Sequence, residues 1–399
     1  MKARAPRILF AAAVSWCALV EIAEFVAGRL FGMELDGDWF LLVTGSSADE
    51  LLQFLRMYAG PLSLAFAAFL AVSAAAAWVA LRASRRVFLA ALALALAFAA
   101  VRIAEVRSVR TWKPAYLAFD TVRSAREYWR VGEAGRWTGE LASRVRAAPS
   151  GATNYVFVIG ESLTSRRVPF YGYGRPTMPR LSALGGSLAV LGPVRAPSPY
   201  TVRALMALMI SGGRAAPVWF RLAGYRTGFV GAQARWERYG SVEAAVFAAC
   251  ERRVYVGEAN GGARVYDGQV LPFVREMMEG DGRPFALFVH LIGSHFEPGS
   301  RVPDGFAAGE GLDDYDRSVR YTDEVLADIV AALPPRTALL FISDHGESVD
   351  AGRWRDVASE ALWTVPVFAY PAEAAPRIGS VAEFVAAWRA WAGGPPEAQ

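Results

Sequence analysis

Ala338-Leu-Leu-Phe-Ile-Ser-Asp-His-Gly-Glu347 runs from an apolar stretch straight into charged, glycine-containing sequence. Val289-His-Leu-Ile-Gly-Ser-His295 does the same, and the two stretches hold all 3 histidines of the 399-residue chain. An apolar run that ends abruptly fits a buried strand of a parallel sheet. Polar groups just past the carboxyl ends of such strands are where open α/β sheets place their ligands. Imidazole is the commonest protein metal ligand, so the pattern points to a metal site, although an isolated strand-end histidine can equally cap a loop.

Working outward, Tyr155-Val-Phe-Val-Ile159 reads as another buried strand, followed at once by Gly160 and Glu161. Further strands are expected at Thr227–Val230, Phe285–Leu291 and Val365–Tyr370, with helices at Thr201–Ile210, Val265–Met278 and about Asp313–Leu333. Strand and helix in alternation predict an α/β domain over 152–399, with a central, mostly parallel sheet flanked by helices. If the strands ending at Ile159 and Ser343 are neighbours, Glu161, Asp344 and His345 converge at one sheet edge. Two carboxylates and one imidazole suit Zn²⁺, with Mn²⁺ a second choice, and leave a fourth position for a nucleophile or water.

Residues 1–110 have a different texture. Hydrophobic residues make up 54% of the chain, and the mean hydropathy of +0.24 is high for a wholly soluble protein. Apolar spans at about 8–31, 61–81 and 87–106 match the thickness of a bilayer core and predict three transmembrane helices. Lys2, Arg4 and Arg7 precede the first span and Arg82, Arg85 and Arg86 join the second to the third, whereas Glu34, Asp36, Asp38, Asp49 and Glu50 separate the first from the second. The positive-inside rule then puts everything after 106 on the outer face. A cleaved signal peptide over residues 1–30 gives the same final topology. Glu21 and Glu24 either snorkel to the interface or face a neighbouring helix.

An amphipathic segment at 38–57 is expected on the outer membrane surface. Residues 111–151 are expected to form an interfacial helix to about Arg130 and then a linker rich in glycine. Cys17 in the membrane part and Cys250 in the outer domain make an intramolecular disulfide an unsuitable prop. The net charge of +4 comes from scattered rather than clustered basic residues, which gives no footprint for nucleic acid.

Five stretches in order resemble one family. Gly160-Glu-Ser-Leu-Thr-Ser-Arg166, Phe170-Tyr-Gly-Tyr-Gly-Arg-Pro-Thr-Met-Pro-Arg-Leu181, His290-Leu-Ile-Gly-Ser-His295, Tyr315-Asp-Arg-Ser-Val-Arg-Tyr-Thr-Asp323 and Ser343-Asp-His-Gly-Glu347 look like the successive motifs of bacterial phosphoethanolamine transferases, members of the alkaline phosphatase and sulfatase superfamily. The likeness spans roughly residues 38–370 and is closer to the branch acting on lipopolysaccharide core or periplasmic glucans than to the disulfide-rich lipid A branch.

The resemblance implies an alkaline phosphatase/sulfatase-like fold. It also implies a catalytic domain in the periplasm anchored in the inner membrane, phosphatidylethanolamine as donor, and a lipid or glycan acceptor such as lipopolysaccharide. A nucleophilic threonine is implied about forty residues beyond Glu161, which falls on Thr201 in Ser198-Pro-Tyr-Thr-Val-Arg-Ala-Leu-Met206. Thr164 and Ser165 compete for that role, and Thr201 can also be read as a helix cap. By the same carry-over Glu161, Thr201, Asp344 and His345 form the metal site. His295 becomes a phosphate ligand or general acid, His290 faces the substrate or lies behind it, and Glu347 orients His345 or approaches a second metal; Gln233, at another strand end, either contacts the phosphoryl or head group or is an ordinary loop residue. The family pattern also has a histidine in the loop after Glu347, where Gly352-Arg-Trp-Arg-Asp-Val357 contains none. Rival readings are a sulfatase-like hydrolase, a glycerophosphate transferase and a membrane-anchored regulator without turnover. Ser198-Pro-Tyr-Thr-Val-Arg203 lacks the spacing of a sulfatase Cys/Ser-x-Pro-x-Arg nucleophile motif.

Overall fold

The computed structural model describes residues 5–31, 35–37, 52, 55–56, 58–105, 113–148, 153–233, 242–261, 264–350 and 355–394. The amphipathic stretch expected at 38–57 falls almost entirely outside the described residues. Two compact units divide the chain, Met1–Glu127 and Tyr128–Gln399.

The first unit contains Ala5–Phe31, Ala59–Arg82 and Arg85–Glu105, three helices long and apolar enough to cross a membrane. Large apolar side chains point away from protein on them, Leu64 being 75% and Leu94 73% exposed. In water such exposure is unfavourable; in lipid it is expected. Glu21 does not snorkel alone. Its carboxylate receives the Arg102 guanidinium at 2.9 Å, which offsets the cost of charge within a membrane helix. Glu24 Oε2 accepts a hydrogen bond from the Leu35 amide at 2.5 Å. The helix expected to end near Arg130 runs over Lys113–Ala134, so Gly132 lies within it rather than in a linker, and Gly135 makes the turn that follows.

The second unit is built on seven strands: β1 (Asn154–Gly160), β2 (Ala189–Arg195), β5 (Arg226–Gly231), β6 (Arg252–Tyr255), β7 (Phe285–His290), β8 (Thr337–Ser343) and β9 (Thr364–Tyr370), in the order β2-β9-β8-β1-β7-β5-β6. β3 (Ile210–Ser211) and β4 (Arg214–Ala215) form a separate small hairpin. β8, β1, β7, β5 and β6 are parallel, while β9 runs antiparallel to β8 and β2 antiparallel to β9.

Alternation along the central strands divides the core. Phe157, Ile159, Phe288, Leu340 and Ile342 pack on one face, and Val156, Val158, Leu287, Val289, Leu339 and Phe341 on the other. Because both faces are covered, each central strand is apolar throughout. The helix Asp314–Ala332 covers the second face with Val319, Leu326 and Ile329, and the Asp313 carboxylate caps it by accepting from the Asp316 amide at 2.8 Å. Helix Val381–Trp391 covers the first face through Phe384 and Trp388.

Candidate active site

Register places the site. Ile159 of β1 pairs with His290 of β7, Gly160 of β1 with Ser343 of β8, and Gly231 of β5 with His290. Three neighbouring strands and β5 therefore end at one level, and the residues just beyond them, Glu161, Asp344, His345 and Gln233, emerge at one edge.

Glu161, Asp344 and His345 are fully buried, and their ligating atoms lie within 4.8 Å of one another. Each is fixed through one atom and left available through another. Asp344 Oδ1 accepts from the amides of Ser162 at 3.0 Å and His345 at 2.6 Å, while Oδ2 accepts no hydrogen bond among the described residues. The His345 Nδ1 faces the Gly346 carbonyl at 2.7 Å, which puts its proton there and leaves Nε2 as an acceptor 3.3 Å from Asp344 Oδ2 and 3.4 Å from Glu161 Oε1. Gly346 is required at this turn, since a Cβ there would stand 2.0 Å from the Ala361 carbonyl oxygen.

Thr201 opens the helix Thr201–Met209, half-buried, with its hydroxyl donating to Glu161 Oε2 at 2.9 Å and lying 3.4 Å from His345 Nε2. Thr164, by contrast, is fully buried and its hydroxyl donates to the Thr364 carbonyl at 3.3 Å, away from the cluster. A hydroxyl the sequence did not single out, that of Ser162, donates to Glu161 Oε1 at 2.7 Å but is fully buried. Of the two hydroxyls on Glu161, only Thr201 is reachable from solvent.

The Gln233 amide nitrogen donates to Glu161 Oε2 at 3.0 Å and to the Leu291 carbonyl at 3.3 Å, so it steadies the carboxylate. Glu347 Oε1 accepts from the Ser348 amide at 2.8 Å, the Ser348 hydroxyl at 3.0 Å and the Arg355 amide at 2.8 Å, fastening the following loop, while its Oε2 accepts no hydrogen bond among the described residues.

His290 and His295 occupy different environments. His290 is buried with Nδ1 on the Glu243 carboxylate and Nε2 4.0 Å from Glu161 Oε2. Burial works against its charged form, yet Glu243, helped by Glu161 and Asp344, outweighs burial and raises its pKa. His295 is half-buried five residues later, and burial together with the positive charges of Arg355 and Arg301 holds its pKa well below the ordinary range. Burial, followed by the charge of Arg355, lowers His345 to about 4. Glu161 and Asp344 are both pushed up, chiefly by burial.

Sequence reading missed three residues here. Glu243 holds His290. Asp267 accepts from the amides of Ile292 at 2.7 Å and Gly293 at 2.9 Å and so shapes the turn between the two histidines; burial raises its pKa to about 6. Arg355 brings Nη2 to 4.0 Å from Glu161 Oε1. All three come from loops or short helices without periodicity, and only their acidic or basic character marks them.

Comparison with known proteins bears on this geometry. The model of the Sulfatase family matches residues 153–394, well over half of the chain. The chain belongs to the sulfatase family. Within this family, the phosphoethanolamine transferase EptC of Escherichia coli K12 is 27% identical over 258 residues, covering 55% of this chain and 45% of that protein. The chain thus spans about 45% of the length of that curated relative. The C-terminal periplasmic domain of E. coli EptC, solved as a complex with Zn, superposes with a TM-score of 0.53 at 24% identity, over 61% of this chain and 82% of that one. The integral membrane lipooligosaccharide phosphoethanolamine transferase A of Neisseria meningitidis has a TM-score of 0.65 at 16% identity, over 96% of this chain and 83% of that one, which establishes a common fold.

Proposed function

We propose that this protein transfers phosphoethanolamine from phosphatidylethanolamine to a lipopolysaccharide or periplasmic glycan acceptor, at the outer face of a bacterial inner membrane, through a covalent intermediate on Thr201. One observation carries the reading: a half-buried threonine hydroxyl at the start of a helix, 2.9 Å from Glu161 and 3.4 Å from His345 Nε2.

The donor set fits a divalent cation. Two carboxylates buried this closely are unfavourable together without one, and Asp344 Oδ2 and His345 Nε2 are left as open ligand atoms. Glu161, Asp344 and His345, with Thr201, would hold it, and zinc is favoured by this mixed oxygen and nitrogen set and by zinc in the related EptC domain. When bound, zinc supplies a charge that favours the deprotonated hydroxyl near neutral pH and offsets negative charge on the phosphoryl oxygens.

The chain's own residues do the rest. Thr201 Oγ1 attacks the donor phosphorus, the bond from phosphorus to the diacylglycerol oxygen breaks, and the threonine proton leaves toward Glu161 Oε2 while diacylglycerol takes up a proton. An acceptor oxygen then attacks the same phosphorus, the bond from phosphorus to Thr201 Oγ1 breaks, and the proton lost by an acceptor hydroxyl, or one from solvent where the acceptor is a phosphate, restores the threonine hydroxyl. The start of the helix Thr201–Met209 lies beside the hydroxyl, and a helix N-terminus favours the negative charge of phosphoryl oxygens. Gln233 keeps Glu161 oriented through both steps, and His295 offers a hydrogen bond to the phosphoryl group or its leaving oxygen. The three apolar helices keep the chain in the bilayer that contains such a donor.

Lipid and glycan mass spectra of cells with and without the protein test donor and acceptor together. The reading predicts diacylglycerol production and a phosphoethanolamine-bearing glycan or lipid only when the protein is present. Spectra that do not differ, or that differ by a glycerophosphate group, would remove it.

A further inference from the structure

Arg355 is the one arginine within ion-pair range of Glu161 among the described residues, and its side chain is 11% exposed. Its Nη2 stops 4.0 Å from Glu161 Oε1, beyond hydrogen-bond range, and its Nε, with no access to solvent, has no hydrogen-bond partner among the described residues. A guanidinium carries five donors in a planar fork, and leaving even the Nε–H unspent away from water is costly. The backbone adds to that cost, because Arg355 is held at φ 52, a left-handed conformation that a side chain with a Cβ rarely adopts. Glu347, through its bond to the Arg355 amide at 2.8 Å, enforces this conformation and thereby the direction of the side chain. Strain of this kind is kept where the surroundings over-determine it, often at functional sites.

Charge balance states what the fork is for. A divalent cation offsets Glu161 and Asp344, but a phosphodiester adds one negative charge and a deprotonated Thr201 another, beside carboxylates that are fully buried. A further cation is needed, and planar, bidentate hydrogen bonding to a tetrahedral oxyanion is what a guanidinium does best. Its charge is felt across the centre, by Glu161, His295, His345 and Glu347. The stretch 352–357 has no histidine. Among the described residues of that stretch, Arg355 comes within 4.0 Å of Glu161.

We infer that the Arg355 guanidinium binds the non-bridging oxygens of the phosphoryl group that Thr201 attacks and then carries. This rests on the phosphoryl-transfer reading above. A guanidinium that merely balanced Glu161 would influence zinc and not phosphate, and the test separates the two.

Full-length protein in detergent, loaded with zinc, is titrated calorimetrically with inorganic phosphate, and zinc content is measured by elemental analysis on the same samples. The comparison is wild type against Arg355→Ala and Arg355→Gln, the second keeping length and polarity without charge. The inference predicts unchanged zinc content and a phosphate Kd weakened about tenfold to a hundredfold in each variant that folds, the loss expected for one charge-assisted pair. Wild-type binding with variants that bind phosphate equally well overturns the inference and leaves the transfer reading standing. Variants that lose zinc, or bind it more tightly with phosphate affinity unchanged, overturn it by showing that Arg355 acts on the metal ligands. Wild-type protein that binds zinc but no phosphate overturns the transfer reading itself, and the inference with it.

Discussion

The two amides on Asp344 Oδ1 and the Gly346 carbonyl on His345 Nδ1 decide what these residues can do, since they aim one oxygen and one nitrogen at the same point. A histidine held neutral in this way costs stability once the solution can protonate it in the unfolded chain. Its ordinary pKa is about 6.5; in the fold it is lowered to about 4 by burial and by Arg355. With a depressed pKa, the stabilisation is present above about pH 6.5 and is lost as pH falls toward 4. Zinc-free protein is therefore expected to lose unfolding free energy across that window, and His345→Gln to flatten the loss; parallel curves for the two proteins would contradict the assignment. Glu161, Asp344 and His345 were legible in the sequence because each stands right after an apolar run, so strand prediction alone places it. Glu243, Asp267 and Arg355 were not, because long-range packing of loops, rather than any local period, brings them in. The same lack of local signal explains Gln233 and Glu347, whose hydrogen bonds go to Glu161 and to the loop at Ser348 and Arg355.

Among the elements, the strands read correctly from sequence are those covered on both faces, where apolarity is continuous and ends sharply. β2 and β6 were missed for reasons that suit the sheet edges they form. Ala189-Val-Leu-Gly-Pro-Val-Arg195 carries Gly192 and Pro193 at a register shift, tolerable on an edge, and Arg252-Arg-Val-Tyr255 is short and half charged. The loop that follows β8 depends on close approach to the short helix Glu360–Trp363, for the Gly346 Cα hydrogen faces the Ala361 carbonyl. Gly346→Ala should force these backbones apart and cost about 2–3 kcal/mol, the usual penalty for overpacking a closed site. Denaturant unfolding of the purified protein reads this directly. A midpoint equal to wild type would mean that the loop yields without cost and does not fix His345.

At the level of the whole molecule, three apolar helices and a sulfatase-family α/β domain share one chain, and the fold is common to it and to an integral membrane transferase. The hydropathy of residues 1–110 was enough to find the helices, each within about three residues of its observed start, whereas the Glu21–Arg102 pair needed three-dimensional placement. The central claim is that Thr201 carries the group in transit. Its most direct test is peptide mass spectrometry of the full-length protein after incubation, with zinc, in phosphatidylethanolamine vesicles without acceptor. The account predicts phosphoethanolamine on the peptide containing Thr201, absent from Thr201→Ala and retained by Ser162→Ala; an adduct on another residue, or one that survives Thr201→Ala, would contradict it.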